Sequence, residues 1–461
     1  MQNETGRAAR RETVGIVSLG CAKNQVNAEQ MMYLLRNAGY TVTTDLMSCE
    51  GIVINTCGFV ESAKTEAIET ILEFSALKQQ GGTLRRIVVT GCLAERYRSE
   101  LAKEIPEIDA ILGTANYQDV VTALNRAFFE DDRKDTVADE YFDAPRNLAD
   151  DVPRVLSTNQ GWAYIKIAEG CDNHCAFCTI PQLRGGYRSR LMESILAEAA
   201  EYSSHGVKEL VLIAQDLTRY GRDRYGRQTL PDLLTQLCKI EGIEWIRLMY
   251  LYPDDVTDAL IEVIAKQSKI VKYLDIPIQH IDDRVLARMN RRGNSERLRT
   301  LIRTLRERIP GVVLRSTLIT GLPGEGEAEF ERLCEFLREA RPERVGVFVY
   351  SPEEGTPAYE MEDRAHFELA EHRAQLVTEF QDRLMDEYSE SRVGSVTEVL
   401  IESFDEIGEC WYGRSYAEAP EVDGKVFILG KKSLNLTGQF IRVRITAVLD
   451  GDLVGVITDS D

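Results

Sequence analysis

Three short apolar runs recur at nearly even spacing along the chain: VGIVSLG from Val14, GIVINT from Gly51 and RIVVTG from Arg86. Each is rich in β-branched residues and closed by a turn signal, so each reads as a strand buried on both faces. Helical patterns separate them, and a strand that returns parallel to its neighbour needs such a crossover. Residues 12–125 are therefore expected to form an open parallel α/β sheet. In the first crossover, Asn27 reads as a helix N-cap with Gln30 three residues on, and Gly39 as the stop.

The alternation resumes further on. AYIKIA, ELVLIA, WIRLMY, YLDIPI, VLRSTLI and RVGVFVY are six strand candidates with helical stretches between them. They predict a partial (β/α)6 barrel of the TIM type over residues 156–390, with chemistry at the strand C-termini. A long helix from about Arg364 to Glu390 closes that region. Residues 391–461 change character: VTEVLIES, CWYGRSY, KVFILG and QFIRVRITAVL predict a small closed β-barrel of the OB or SH3 size class. Between sheet and barrel, residues 126–155 are acid-rich and read as a linker.

The net charge of −20 argues against a broad nucleic-acid surface and favours a basic partner. No apolar run approaches the roughly 20 residues that span a bilayer. The opening MQNETGRAARRETVG lacks the apolar core of a secretory signal, so a short cytosolic leader and a cytoplasmic protein are expected. Ten cysteines in such a chain point to metal or catalysis rather than to disulfides.

Two cysteine sets stand out. Cys171, Cys175 and Cys178 crowd into GCDNHCAFC, where the first barrel strand ends. Thiolates this close select zinc or an iron–sulfur cluster. Zinc would want a fourth ligand, for which His174 is the nearby candidate. A four-iron cluster on three thiolates instead leaves one iron open for substrate. Cys21, Cys57 and Cys92 form the second set, each at the end of a predicted strand, 36 and 35 residues apart. Parallel strands in one sheet would aim three thiols at its C-terminal edge, where ligands bind in such folds. Cys238 and Cys334 read as helix-packing residues, and Cys49 and Cys410 carry no assigned role.

CDNHCAFC matches the C-x3-C-x2-C signature of the radical S-adenosylmethionine (SAM) superfamily, with Phe177 before the last cysteine. SLGCAKNQVNAEQM, NTCGFV and VVTGCLAER resemble the N-terminal domain of its methylthiotransferase family. That resemblance covers nearly the whole chain and implies a C-terminal TRAM domain. At Asn27–Ala28 the sequence departs from the acidic residue and serine expected there. The family implies two 4Fe–4S clusters, an auxiliary one on Cys21, Cys57 and Cys92 and a radical one on Cys171, Cys175 and Cys178. TLITGLPGE, with Gly321, Pro323, Gly324 and Glu325, resembles the superfamily's glycine-rich SAM-contacting turn. Phe177 in the cysteine loop and Gln215, Asp216 and Gln279 at strand ends on the same face are the other candidate contacts, their individual roles unassigned. Tyr250, Tyr252 and His280 end strands on the same face. The implied reaction uses SAM twice, first to methylate a cluster-bound sulfur and then to convert substrate C–H to C–SCH3.

The family divides between enzymes acting on tRNA adenosine and enzymes acting on an aspartate of a ribosomal protein. Residues 391–461 carry seven Lys plus Arg against twelve Asp plus Glu, a net of −5. An acidic barrel suits a basic protein better than RNA. WYGRSYAEAPEVDG, YLYPDDVTDALIEVIA and YLDIPIQHIDDRVLARMNRRG also resemble the ribosomal-protein branch. The expected substrate is therefore the β-carbon of an aspartate in the twelfth small-subunit protein, free or on the ribosome, with an unidentified reductant. The alternative is tRNA adenosine methylthiolation; a different class is an electron-transfer or scaffold protein that consumes no SAM. The cation-rich MNRRG loop could touch RNA on a ribosome, but a solvated turn is the expectation.

Overall fold

A computed structural model describes residues 12–130, 138–142, 152–158 and 161–458. The leader lies outside these residues, as does much of the expected linker. The chain forms two compact units. One gathers the described residues up to Ser157 with Glu169–Asp172 and Thr179–Arg188; the other holds Thr158–Ala168, Asn173–Cys178 and the chain from Ser189 onward.

The first unit is built on six parallel strands in the order Thr41–Thr43, Thr13–Ser18, Gly51–Thr56, Arg86–Gly91, Ala110–Leu112 and Asp139–Tyr141. The three expected strands are its centre. Alternation along them divides the core: Ile52, Ile54, Ile87, Val89 and Ile111 pack on one face, Val14, Val53, Val88, Ala110 and Leu112 on the other. The three further strands are three residues each, too short to carry a periodic signal. One of them, Asp139–Tyr141, lies in the stretch read as linker and pairs with Ala110–Leu112.

The first helix is a correction. It spans Ala22–Asn37 with Cys21 at the N-cap, so Asn27 is a buried interior residue. The helix starts early because Asn24 has partners there: its amide donates to the carbonyls of Leu19 (2.8 Å) and Thr56 (3.0 Å). Gly39 does lie just past the end, at φ +90°.

In the second unit all six expected strands form one parallel sheet in chain order: Trp162–Lys166, Glu209–Ile213, Trp245–Leu248, Ile270–Asp275, Val313–Thr320 and Arg344–Val349. The helix Phe367–Ser391 packs on its last strands, where the Thr320 hydroxyl donates to the Ala370 carbonyl at 2.8 Å. Then comes a closed five-stranded barrel: Val396–Asp405, Cys410–Arg414, Val426–Leu429, Asp452–Ile457 and Phe440–Leu449. Its core holds Val399, Ile401, Trp411, Val426, Ile428, Val443 and Ile445.

This small barrel is riveted to the strand starts of the parallel sheet. Arg414 donates to Glu209 at 2.8 Å and to Glu402 at 2.6 Å, while Arg247 donates to Glu209 at 2.7 Å. Glu418 receives Arg344 (3.4 Å), Arg392 and the Ser415 hydroxyl (2.6 Å). Tyr164 and Tyr273 donate to Glu421 (3.0 Å) and Asp423 (2.7 Å). Glu209, Arg247, Arg414 and Glu418 are all buried. Ions taken from water need this degree of pairing. The arginines hold the Glu209 and Glu418 carboxyls below their ordinary range although burial pushes both up.

Candidate iron–sulfur sites

Cys21, Cys57 and Cys92 follow three neighbouring strands at one end of the first sheet. Each has a glycine beside it, Gly20, Gly58 and Gly91, and none of these leaves room for a side chain. At Gly20, φ +88°, a Cβ would sit 2.9 Å from the Cys57 sulfur; at Gly91, φ +96°, 2.4 Å from the Thr56 carbonyl oxygen. The close approach brings the thiols into one electrostatic neighbourhood. Burial and the neighbouring Cys92 and Cys21, against a backbone amide that pulls the other way, leave the Cys57 thiol pushed up to about 11. Burial also raises Cys92. Cys21 goes the other way: burial pushes it up, but Lys23, Arg184 and the amides at the helix start outweigh that.

Arg184 is the residue that sequence reasoning missed here. It is buried, donates to Glu169 at 2.7 Å and to the Asn24 amide oxygen at 2.5 Å, and reaches the Cys92 sulfur at 3.6 Å. Glu169 balances its charge, so a guanidinium stands among three thiols without being stranded in the core. Among the described residues, no three His, Cys, Asp or Glu side chains converge on a point that would suit a single metal ion. A four-iron cluster gives each thiolate its own iron, so its ligands stand around it instead. Three neighbouring thiols next to a buried cation fit that anionic group.

The other cysteine loop is locally well held. Its Gly170 takes φ +77°, and the Cys171 amide donates to the Gly185 carbonyl at 3.1 Å. In the second unit, the Ala176 amide donates to Met289, and the Ala176 carbonyl accepts from Ala358, both at 2.9 Å. Ala176 joins Val285, Met289, Leu322, Tyr350 and Ala358 in an apolar cluster on which Phe177 packs. His174 is exposed at φ +49°. Arg291 is buried, stacks 4.4 Å from the Tyr252 ring centroid and donates to the Cys175 sulfur at 3.7 Å. The MNRRG loop is therefore no solvated turn, since one of its arginines serves a cysteine.

The remaining expected cofactor contacts divide. Asp216 follows its strand as a cap: it accepts from the Thr218 amide (2.9 Å) and the Asn173 side chain (2.8 Å), and burial raises its carboxyl. Gln215 precedes it, half-buried. Gln279 sits at φ +70°, bridged through its backbone to Thr317 and Ile319. Glu325 is committed inside the protein: it accepts from Arg373 at 2.9 Å and stands 3.4 Å from His280 Nε2, with both its carboxylate and the imidazole fully buried. Gly321 admits the long helix, where a Cβ would meet that of Ala370 at 2.4 Å; Pro323 is buried, and Gly324 packs against Arg288.

Comparison with known proteins places these features. Residues 13–113 match the uncharacterized protein family UPF0004, residues 165–337 the radical SAM superfamily and residues 393–458 the TRAM domain. A protein of Acetivibrio thermocellus named ribosomal protein uS12 methylthiotransferase RimO is 43% identical over 98% of this chain and 99% of its own length. Its counterpart in a Thermoanaerobacter species is 47% identical over 96% and 99%. The chain belongs to the RimO family.

Among solved structures, the fold resembles the radical SAM methyltransferase TsrM of Kitasatospora setae at TM-score 0.57, with 13% identity over 76% of this chain and 74% of that one. The cobalamin-dependent radical SAM enzyme OxsB matches at 0.51, with 14% identity over 81% and 56%. For this RimO-family chain, no helix among the described residues is long and apolar enough to cross a membrane.

Proposed function

We propose that this protein replaces a C–H bond with C–SCH3 at the β-carbon of an aspartate in ribosomal protein uS12, in the cytosol, using SAM and two 4Fe–4S clusters. Residues 12–125 supply the auxiliary site on Cys21, Cys57 and Cys92. Residues 156–390 supply the radical site on Cys171, Cys175 and Cys178, and residues 391–461 present the substrate. When bound, the clusters and SAM supply the electron, the radical and the methylthio group. The chain's own work is to hold and polarise. Arg184 and Arg291 each donate to a cysteine sulfur, a hydrogen bond that a metal-bound thiolate can accept. The apolar bed beneath Ala176 and Phe177 keeps the second loop in place and dry.

The observation that carries the reading most is the gathering of three strand-end thiols around a buried arginine, in a chain similar to RimO over nearly its full length. The choice of protein over RNA draws on charge. Of the residues that make the last domain acidic, Glu402 and Glu418 are buried, but so are Arg392 and Arg414. The outward balance thus keeps its negative sign, suited to a basic protein.

The test is product mass spectrometry after anaerobic reconstitution, with uS12 and tRNA offered in parallel with SAM and reductant. A methylthio increment on the uS12 aspartate is expected. An increment on tRNA alone would reassign the substrate, and absence of 5′-deoxyadenosine would remove the radical chemistry. Replacing Cys171, Cys175 and Cys178 together by alanine is expected to halve the bound iron.

A further inference from the structure

The parallel sheet of the second unit has one face covered by helices and one inner face. Register and alternation assign Arg315, Thr317 and Ile319 to the inner face beside Arg344, Gly346 and Phe348 of the neighbouring strand. Asp275 lies opposite Arg315 on the other side. The strand-start end of this face is closed by the residues that dock the small barrel: Arg247 is bound to Glu209 and Arg344 to Glu418. One level up, the chemistry changes.

Arg315 donates from Nη1 to Asp275 Oδ1 at 2.9 Å, and the other oxygen of Asp275 accepts from the Tyr250 amide at 3.1 Å. The guanidinium is thus fixed along one edge. Its Nη2 makes no hydrogen bond among the described residues, and the side chain keeps 16% exposure while Asp275 has none. Gly346 leaves room there: a Cβ would lie 3.5 Å from Arg315 Nη2 and 3.5 Å from the Phe348 ring. Phe348 is 52% exposed, a large aromatic left uncovered on the inner face. A pre-aimed guanidinium edge beside an aromatic wall matches a small carboxylate carried on a short carbon stem.

We propose that Arg315 receives the side-chain carboxylate of the substrate aspartate while Phe348 flanks its β-carbon, an inference that rests on the reading of an aspartate substrate above. Fixing the carboxylate fixes which β-hydrogen faces the strand C-termini, so Arg315 determines substrate choice and orientation. Asp275 is a positioning residue, holding the guanidinium by its far edge.

The test uses the full-length reconstituted enzyme and two ligands, uS12 and its aspartate-to-asparagine variant, with affinities read by fluorescence anisotropy. Wild type is expected to prefer the aspartate form about 10- to 100-fold, the scale of one charge-assisted hydrogen-bonded pair. Arg315→Gln is expected to bring the two forms within about twofold and to raise KM far more than it lowers kcat. Arg315→Lys keeps part of the preference. Because Arg315→Gln strands Asp275, the Asp275→Asn/Arg315→Gln pair is measured beside it, with circular dichroism as the check on folding. Undiminished discrimination in a folded variant overturns the inference while leaving the aspartate reading intact. Wild type that binds neither form, or that modifies tRNA alone, overturns both.

Discussion

Arg184 has a fork that faces an acid, an amide and a thiol at once. Removing it takes the guanidinium at 2.7 Å away from the buried Glu169 carboxylate. Arg184→Met is therefore expected to cost about 3–5 kcal/mol in denaturant unfolding and to lower bound iron, with Arg184→Lys milder on both counts. Glu325 gives the opposite lesson. Its place in a glycine-rich turn marks it as a cofactor contact, yet one oxygen of its carboxylate accepts from Arg373 and the other lies buried 3.4 Å from His280. Glu325→Gln is expected to lower the thermal midpoint while leaving SAM affinity, measured by calorimetry, within about twofold. A tenfold loss of SAM affinity in a folded variant would restore the contact role. The cysteines were legible because strand, turn and spacing all repeat around them. Arg184 and Arg291 were not, since an arginine before two glycines or beside a second arginine has the pattern of a surface loop.

At the scale of elements, strands buried on both faces announce themselves as unbroken β-branched runs, and all nine such runs of the two sheets form where expected. Strands of three residues carry too little pattern, and Asp139–Tyr141 is further masked by its acidic surroundings. The first helix misled for a different reason: Asn27 has the right chemistry for a cap, but Asn24 has the right partners. Helix packing can be tested at Gly321, which holds φ +80° against Ala370. Gly321→Ala is expected to destabilise by about 1–3 kcal/mol from the backbone alone, read by thermal unfolding. A neutral result would mean that the helix Phe367–Ser391 can draw back at no cost.

For the molecule as a whole, the ion pairs between sheet and small barrel make stability depend on pH. Glu209 and Glu418 have folded-state values below their ordinary value of 4.5. Their contribution is complete above about that pH and is lost as pH falls through the lower folded values. Below pH 4.5, Glu209→Gln is thus expected to show a shallower fall in thermal midpoint than wild type; an equal slope there would assign the acid sensitivity elsewhere. This docking was invisible in the sequence. Its partners lie about 70 to 260 residues apart.

That distance has a consequence for how the chain is made. Synthesis delivers the parallel strands well before Arg414 and Glu418 exist, so Glu209 and Arg344 emerge without those final counter-ions. The barrel can collapse early, but its floor closes only when nearly the last residues appear. Until then the nascent sheet carries half-neutralised ions at one end.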